Sequence, residues 1–144
     1  IVPDHAAQRK IINTWFQDSW LFDVLKKITN WDSRSIFITS DHGSTISNRP
    51  VVVKGDKSTS TGIRYKVGRS LHVKKKDAMI IRNPKEYKLL SEGINSNYII
   101  AKNNNFFIYP NKKNKYQHLY SDSFQHGGIS MEEMIIPFAS LDKK

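Results

Sequence analysis

From His5 to about Thr29 the apolar residues Ile11, Ile12, Trp15, Phe22, Leu25 and Ile28 return at three- and four-residue spacings, with Arg9, Lys10, Gln17 and Lys26 between them. That period gathers the apolar side chains on one stripe and predicts one amphipathic helix or two short ones. Asp18 and Ser19 interrupt the stripe. Their side-chain oxygens can accept the unpaired N–H groups of a first turn, so a second helix is expected to begin near Trp20. The pattern then changes: "SRSIFITS" is a short continuous run of β-branched and aromatic residues, as in a strand covered on both faces. At its C-terminal end, in "TSDHGS", stand Asp41 and His42. In open α/β sheets ligands gather at the carboxyl ends of strands, which makes this a position to watch.

Further on, "NRPVVVKGDKS" predicts a short strand ending in a Gly-Asp turn, and "STSTGIRYKVGRSLHV" predicts a polar loop with basic residues leading towards "DAMIIRNP". Two apolar runs, Tyr98 to Ala101 and Phe106 to Tyr109, flank an Asn-rich turn and predict a hairpin. The chain closes with "SFQHGGISMEEMIIPFASL": a Gly-Gly loop, a capping Ser130 followed by Glu132 and Glu133, and a final apolar strand. There is no internal repeat and no clean linker, so residues 1–144 are read as one unit.

Composition narrows the class. A chain of 144 residues, 38% hydrophobic and 11% aromatic, can bury a real core, roughly two-thirds of the surface its unfolded form exposes. No apolar run approaches the roughly 20 residues that span a bilayer, and "IVPDHAAQRK" lacks the basic and apolar segments of a signal peptide, so a cytoplasmic location without membrane insertion is expected. The chain opens on Ile1 rather than Met and is read as a piece of something longer. Without cysteine, any metal site must use His and carboxylates. Twenty-three Lys and Arg against thirteen Asp and Glu leave a net charge of +10, which attracts nucleotides, nucleic acid or acidic protein faces. Much of that excess lies in "VKKKD" and "NKKNK", runs of the kind found in solvated loops.

Asp-His-Gly alone fits a polar turn as well as a metal ligand pair. The second stretch changes the balance, because "FQHGGISMEEMIIP" sets His126 before two glycines that allow a tight turn, with an apolar strand behind. Two His-Gly turns, each fixed by a strand, are the parts of a two-metal centre.

At these residues the chain resembles the alkaline phosphatase superfamily, and within it the PglZ-type domain found at the C-terminal end of PorX-like two-component response regulators. The resemblance runs from about Trp15 to Leu141 and rests on "TSDHGS", "GDKSTSTGIRYKVGRSL", "NNFFIYPN" and "YSDSFQHGGISMEEMIIP" in that order, the last being the most specific. It implies an α/β fold, the C-terminal part of an alkaline-phosphatase-like α/β sandwich with a mixed sheet, and metal-dependent hydrolysis of phosphate esters, mostly diesters. It also implies two zinc ions in the complete domain, Asp41 and His42 as ligands of the zinc that activates a threonine nucleophile, and His126 as a ligand of the partner zinc. Zinc accepts oxygen and imidazole donors, and two ions together can hold the attacking and phosphate oxygens. The nucleophile and remaining ligands of the family lie upstream of the matched region, and no catalytic nucleophile is assigned in this chain. Asp4 and His5 are adjacent, whereas the family's pair is spaced apart.

Arg64 and Lys66 in "GIRYKVG" are candidates for binding a substrate phosphate, Arg as a bidentate fork and Lys as a point charge; they read equally as loop charges. Glu132 and Glu133 suit the first turn after Ser130, where negative charge meets the positive end of the helix dipole. His72 and His118 lie in polar, basic surroundings and read as exposed. The expected function is therefore part of a phosphodiesterase effector domain acting on a nucleotide-type diester, with two-component signalling proteins as partners; the oligomeric state is left open, a homodimer being one option. The alternative is a non-catalytic signalling module whose charge binds protein or nucleic acid. A dedicated DNA-binding domain ranks last, for want of a helix-turn-helix signature or a basic helix.

Overall fold

The computed structural model describes residues 4–30, 35–56, 59–91 and 95–142. In chain order the elements are α1 (His5–Gln17), α2 (Trp20–Thr29), β1 (Ser35–Thr39), β2 (Thr45–Ser47), β3 (Arg49–Val52), β4 (Tyr65–Gly68), β5 (Ala78–Ile81), β6 (Asn97–Ala101), β7 (Asn105–Ile108), α3 (Lys113–Tyr120), β8 (Ser123–Gln125), α4 (Met131–Met134) and β9 (Phe138–Asp142). Short 3₁₀ turns occupy Pro84–Tyr87 and Pro110–Lys112. The expected α/β class holds: helices accompany several small sheets with both parallel and antiparallel pairs. The chain divides into two compact units, Ile1–Asp41 with Ile136–Lys144, and His42–Ile135.

In the first unit the amphipathic segment forms two helices, separated where the stripe is interrupted. Asp4 caps α1 by accepting the Ala7 N–H at 2.8 Å, which gives that carboxylate a structural task. Ser19 caps α2 by accepting the Phe22 N–H at 3.3 Å, and Phe16 and Phe22 pack with ring centroids 5.3 Å apart across the break. β1 pairs antiparallel with β9, from Ser35 opposite Asp142 to Thr39 opposite Phe138. The expectation that this strand is covered on both faces is corrected: Phe37 is 62% and Phe138 69% exposed, and the two rings stack on each other with centroids 5.5 Å apart. A continuous apolar run says what a strand has to bury, not what buries it. Ser33 and Arg34, which open the run, lie outside the described residues.

The second unit holds the core. β4, β6 and β5 form an antiparallel sheet in that order, β3 pairs parallel with β7, and β2 pairs antiparallel with β8. Val51, Val53, Ala78, Ile99, Ala101 and Phe107 pack together, with Leu71, Val73 and Ile80 against them. Two expectations change here. The apolar runs around the Asn-rich turn do not pair as a hairpin: β6 joins β4 and β5, while β7 runs parallel to β3. The turn is real, with Asn103 in the left-handed region at φ 51°, but a turn specifies reversal and leaves pairing to burial, and all four residues of β7 are buried. The predicted polar loop contains β4, whose buried positions include the charged Lys66 while Tyr65 faces out. Lys57 and Ser58, in the Gly-Asp turn region, lie outside the described residues.

Candidate metal centre

His42 stands three residues before β2, and His126 directly follows β8. Because these strands are antiparallel, with Thr45 opposite Gln125, the start of one and the end of the other lie together, and the histidines are delivered to the same end. The imidazoles are stacked, with centroids 3.9 Å apart and planes inclined by 11°. Both residues are exposed. His42 Nδ1 lies 2.8 Å from the Gly43 carbonyl, an acceptor only, so Nδ1 is the donor, the tautomer that in a neutral ring leaves the Nε2 lone pair for a ligand role. Asp41 lies two residues beyond β1, exposed, at the end of the first unit.

The turns that carry the histidines are held by one residue. The Glu133 carboxylate accepts the Gly128 N–H at 2.8 Å and the Ser130 N–H at 3.0 Å, and its backbone carbonyl accepts the Gly43 N–H at 2.9 Å. Ser130 is the N-cap of α4 and Glu133 its third residue reaching back, the arrangement for which the Ser-x-x-Glu spacing exists. The close approaches explain the glycines. A Cβ on Gly43 would collide with the Glu132 carbonyl oxygen, and one on Gly128 would lie 2.5 Å from Arg64 Nη2 and 2.6 Å from Glu133 Oε2. Gly127 adopts φ +96°, which an L side chain rarely adopts.

Arg64 and Lys66 are interior groups. Arg64 is 0% exposed; its Nε and Nη2 donate to Glu133 Oε1 and Oε2 at 2.9 and 2.6 Å, and its Nη1 donates to the Asn103 and Asn105 carbonyls. Every guanidinium nitrogen thus has a protein partner, and the placement does not favour the phosphate fork its sequence position suggests. Burial by itself raises the Glu133 carboxyl, but the Arg64 guanidinium and the Ser130 and Gly128 N–H groups outweigh it and hold the carboxyl down to about 2. Lys66 is 2% exposed, donates to the Gly62 and Ser60 carbonyls at 2.8 and 3.3 Å, and sits 4.3 Å from the Tyr109 ring centroid. Burial lowers its ammonium to about 8. A small cavity of about 120 Å³ adjoins it, lined in part by Phe107, Tyr109, Tyr116 and Tyr120. His72 and His118 are exposed.

As a metal site the donor set fits in part. Two imidazoles suit zinc, and a backbone carbonyl orients one of them as in metal-bound histidines. A catalytic zinc takes three protein ligands, and among the described residues no group of three or more His, Cys, Asp or Glu side chains gathers to hold an ion. Sequence reasoning found both histidines but missed the Arg64–Glu133 pair beneath them; the Ser-x-x-Glu spacing was the signal, and it pointed only to a cap.

Comparison with curated proteins finds no match. The family profile of the BREX system PglZ alkaline phosphatase-like domain matches residues 5–141, taking in both His-Gly turns and all the elements above but the last residue of β9. Its alkaline-phosphatase-like character suggests a phosphoesterase-type function, and the chain belongs to the PglZ family of alkaline-phosphatase-like domains.

Proposed function

We propose that this chain is part of a zinc-dependent phosphodiesterase domain, with Asp41 and His42 serving one ion and His126 its partner. The observation that carries the reading is the stacked imidazole pair. Lone pairs lie in the ring planes, and two planes inclined by only 11° do not converge on one ion. Side by side, each ring can serve an ion of its own, as in two-metal hydrolytic centres, whose ions lie about 4 Å apart. With zinc bound, such a centre polarises the phosphate oxygens and lowers the pKa of an attacking hydroxyl. The residues of this chain orient His42 through the Gly43 carbonyl and set His126 on a tight turn beside it. The nucleophile belongs to the complete domain. The net charge of +10 favours an anionic substrate, and we assign a nucleotide-type diester, cleaved in the cytoplasm and coupled to phosphorelay signalling as in PorX-like regulators.

The test is hydrolysis of bis(4-nitrophenyl) phosphate by the complete protein, before and after chelation and with zinc restored. Zinc-dependent turnover abolished by His126→Ala is the expected result. Full turnover in that variant, or activity indifferent to chelation, would overturn the reading and favour the non-catalytic module.

A further inference from the structure

We infer that the buried Arg64–Glu133 pair is the positioning device that sets His42 against His126. The inference rests on reading the two imidazoles as a metal-binding pair, but it concerns how they are held. Glu133 is the junction of three attachments. Its carboxylate fixes the Gly127–Gly128 turn through the Gly128 N–H, two residues after His126. Its backbone carbonyl fixes the other turn through the Gly43 N–H, one residue after His42. Arg64 then fixes Glu133 with a two-nitrogen fork and ties it to the Asn103 and Asn105 carbonyls on either side of the turn into β7. The histidine turns are thereby fastened to the sheet core through one residue. β2 and β8, three residues each, set the coarse register, but the histidines lie outside the paired residues, where strand pairing no longer fixes a side chain. Substitution of Glu133 removes the carboxylate that holds the Gly128 turn and the Arg64 fork that holds the 133 backbone, so the carbonyl that accepts the Gly43 N–H is kept but no longer fastened, while every candidate ligand stays in place.

The experiment is NMR of the full chain with labelled histidine, reading the cross-relaxation peak between the His42 and His126 rings. Wild type is expected to show a strong peak, since the centroids are 3.9 Å apart. Glu133→Ala is expected to weaken it at least fivefold while the amide signals of Val67 and Ile99 in the core stay in place. Gly43→Ala serves as the second variant, because it keeps both charged side chains while its Cβ would collide with the Glu132 carbonyl oxygen and displace the 132–133 backbone to which the Gly43 N–H donates. It too is expected to lose the peak, and it keeps the test decisive if Glu133→Ala does not fold. An undiminished ring–ring peak in either folded variant, or no peak in wild type, would overturn the inference. Zinc titration of the histidine nitrogens in the complete protein separates the two readings: a peak that depends on Glu133 in this chain, with rings that ignore zinc in the complete protein, keeps the positioning role and removes the metal reading.

Discussion

Charge burial decides most of what happens at single residues here. Glu133 is ordinary by sequence, one of two glutamates in a helix start, yet it is 4% exposed and bound to a guanidinium that is fully buried. Removing one partner of such a pair strands the other, so Glu133→Gln is expected to cost about 3–5 kcal/mol at pH 7, measured by urea unfolding. The sign of its pH dependence follows from a folded value of about 2, below the ordinary 4.5. The unfolded chain takes up the proton first, so this stabilisation is complete above about pH 4.5 and drains away as pH falls towards 2. The stability gap between wild type and Glu133→Gln should therefore narrow across that window. Lys66 has the same sign in a higher window, but there the charged form is the one that burial penalises. Its folded value of about 8 lies below 10.5, so the unfolded chain holds more protons between those values and stability rises as pH climbs from 8 to 10.5. That rise should be present in wild type and missing in Lys66→Met; a parallel pair of curves would remove the lysine from the account. Neither behaviour was legible beforehand, because charge at alternate positions of "GIRYKVG" reads as solvated chain and only packing turns those positions inward.

Elements were legible where their signal is local and lost where it depends on a partner. The break between α1 and α2 at Asp18-Ser19 follows from hydrogen-bonding chemistry inside one turn, and it appears where that chemistry puts it. The hairpin failed because turn residues near Asn103 encode reversal, while the pairing of β7 with β3, a strand distant in sequence, goes with the burial of Phe106, Phe107 and Ile108. β1 shows the same limit, since its apolar run was visible but its exposed faces were not. These differences are measurable. Ile99→Ala removes a side chain at 0% exposure in the middle strand of the three-stranded sheet and should cost about 2–5 kcal/mol in unfolding of the second unit. Phe138→Ser removes a ring whose aromatic partner is Phe37 and should cost no more than about 1.5 kcal/mol. Equal losses at the two sites would mean that the ribbon of β1 and β9 is as well packed as the core.

At the scale of the whole chain the question is what half a centre can do. His42 and His126 supply one imidazole each, and Asp41, the remaining candidate, stands at the end of the other compact unit. With no group of three candidate ligands among the described residues, zinc should bind this chain weakly, and calorimetry at neutral pH should detect no tight site. The chain by itself should accordingly leave bis(4-nitrophenyl) phosphate intact. A loosely held ion neither lowers the pKa of a bound hydroxyl dependably nor fixes its approach to phosphorus, and misplacement by an ångström is enough to cost a hundredfold in rate. In the complete domain the same residues should become decisive. His126→Ala and Asp41→Ala should each lower zinc-dependent turnover by orders of magnitude with little loss of stability, because both residues are exposed and neither belongs to the packed core. His72→Ala, at an exposed position beside Lys54, should leave the rate near wild type. Rapid turnover by this chain alone would mean that it holds a nucleophile and ligands beyond those recognised, whereas unchanged turnover after both ligand substitutions would remove the two His-Gly turns from the chemistry altogether.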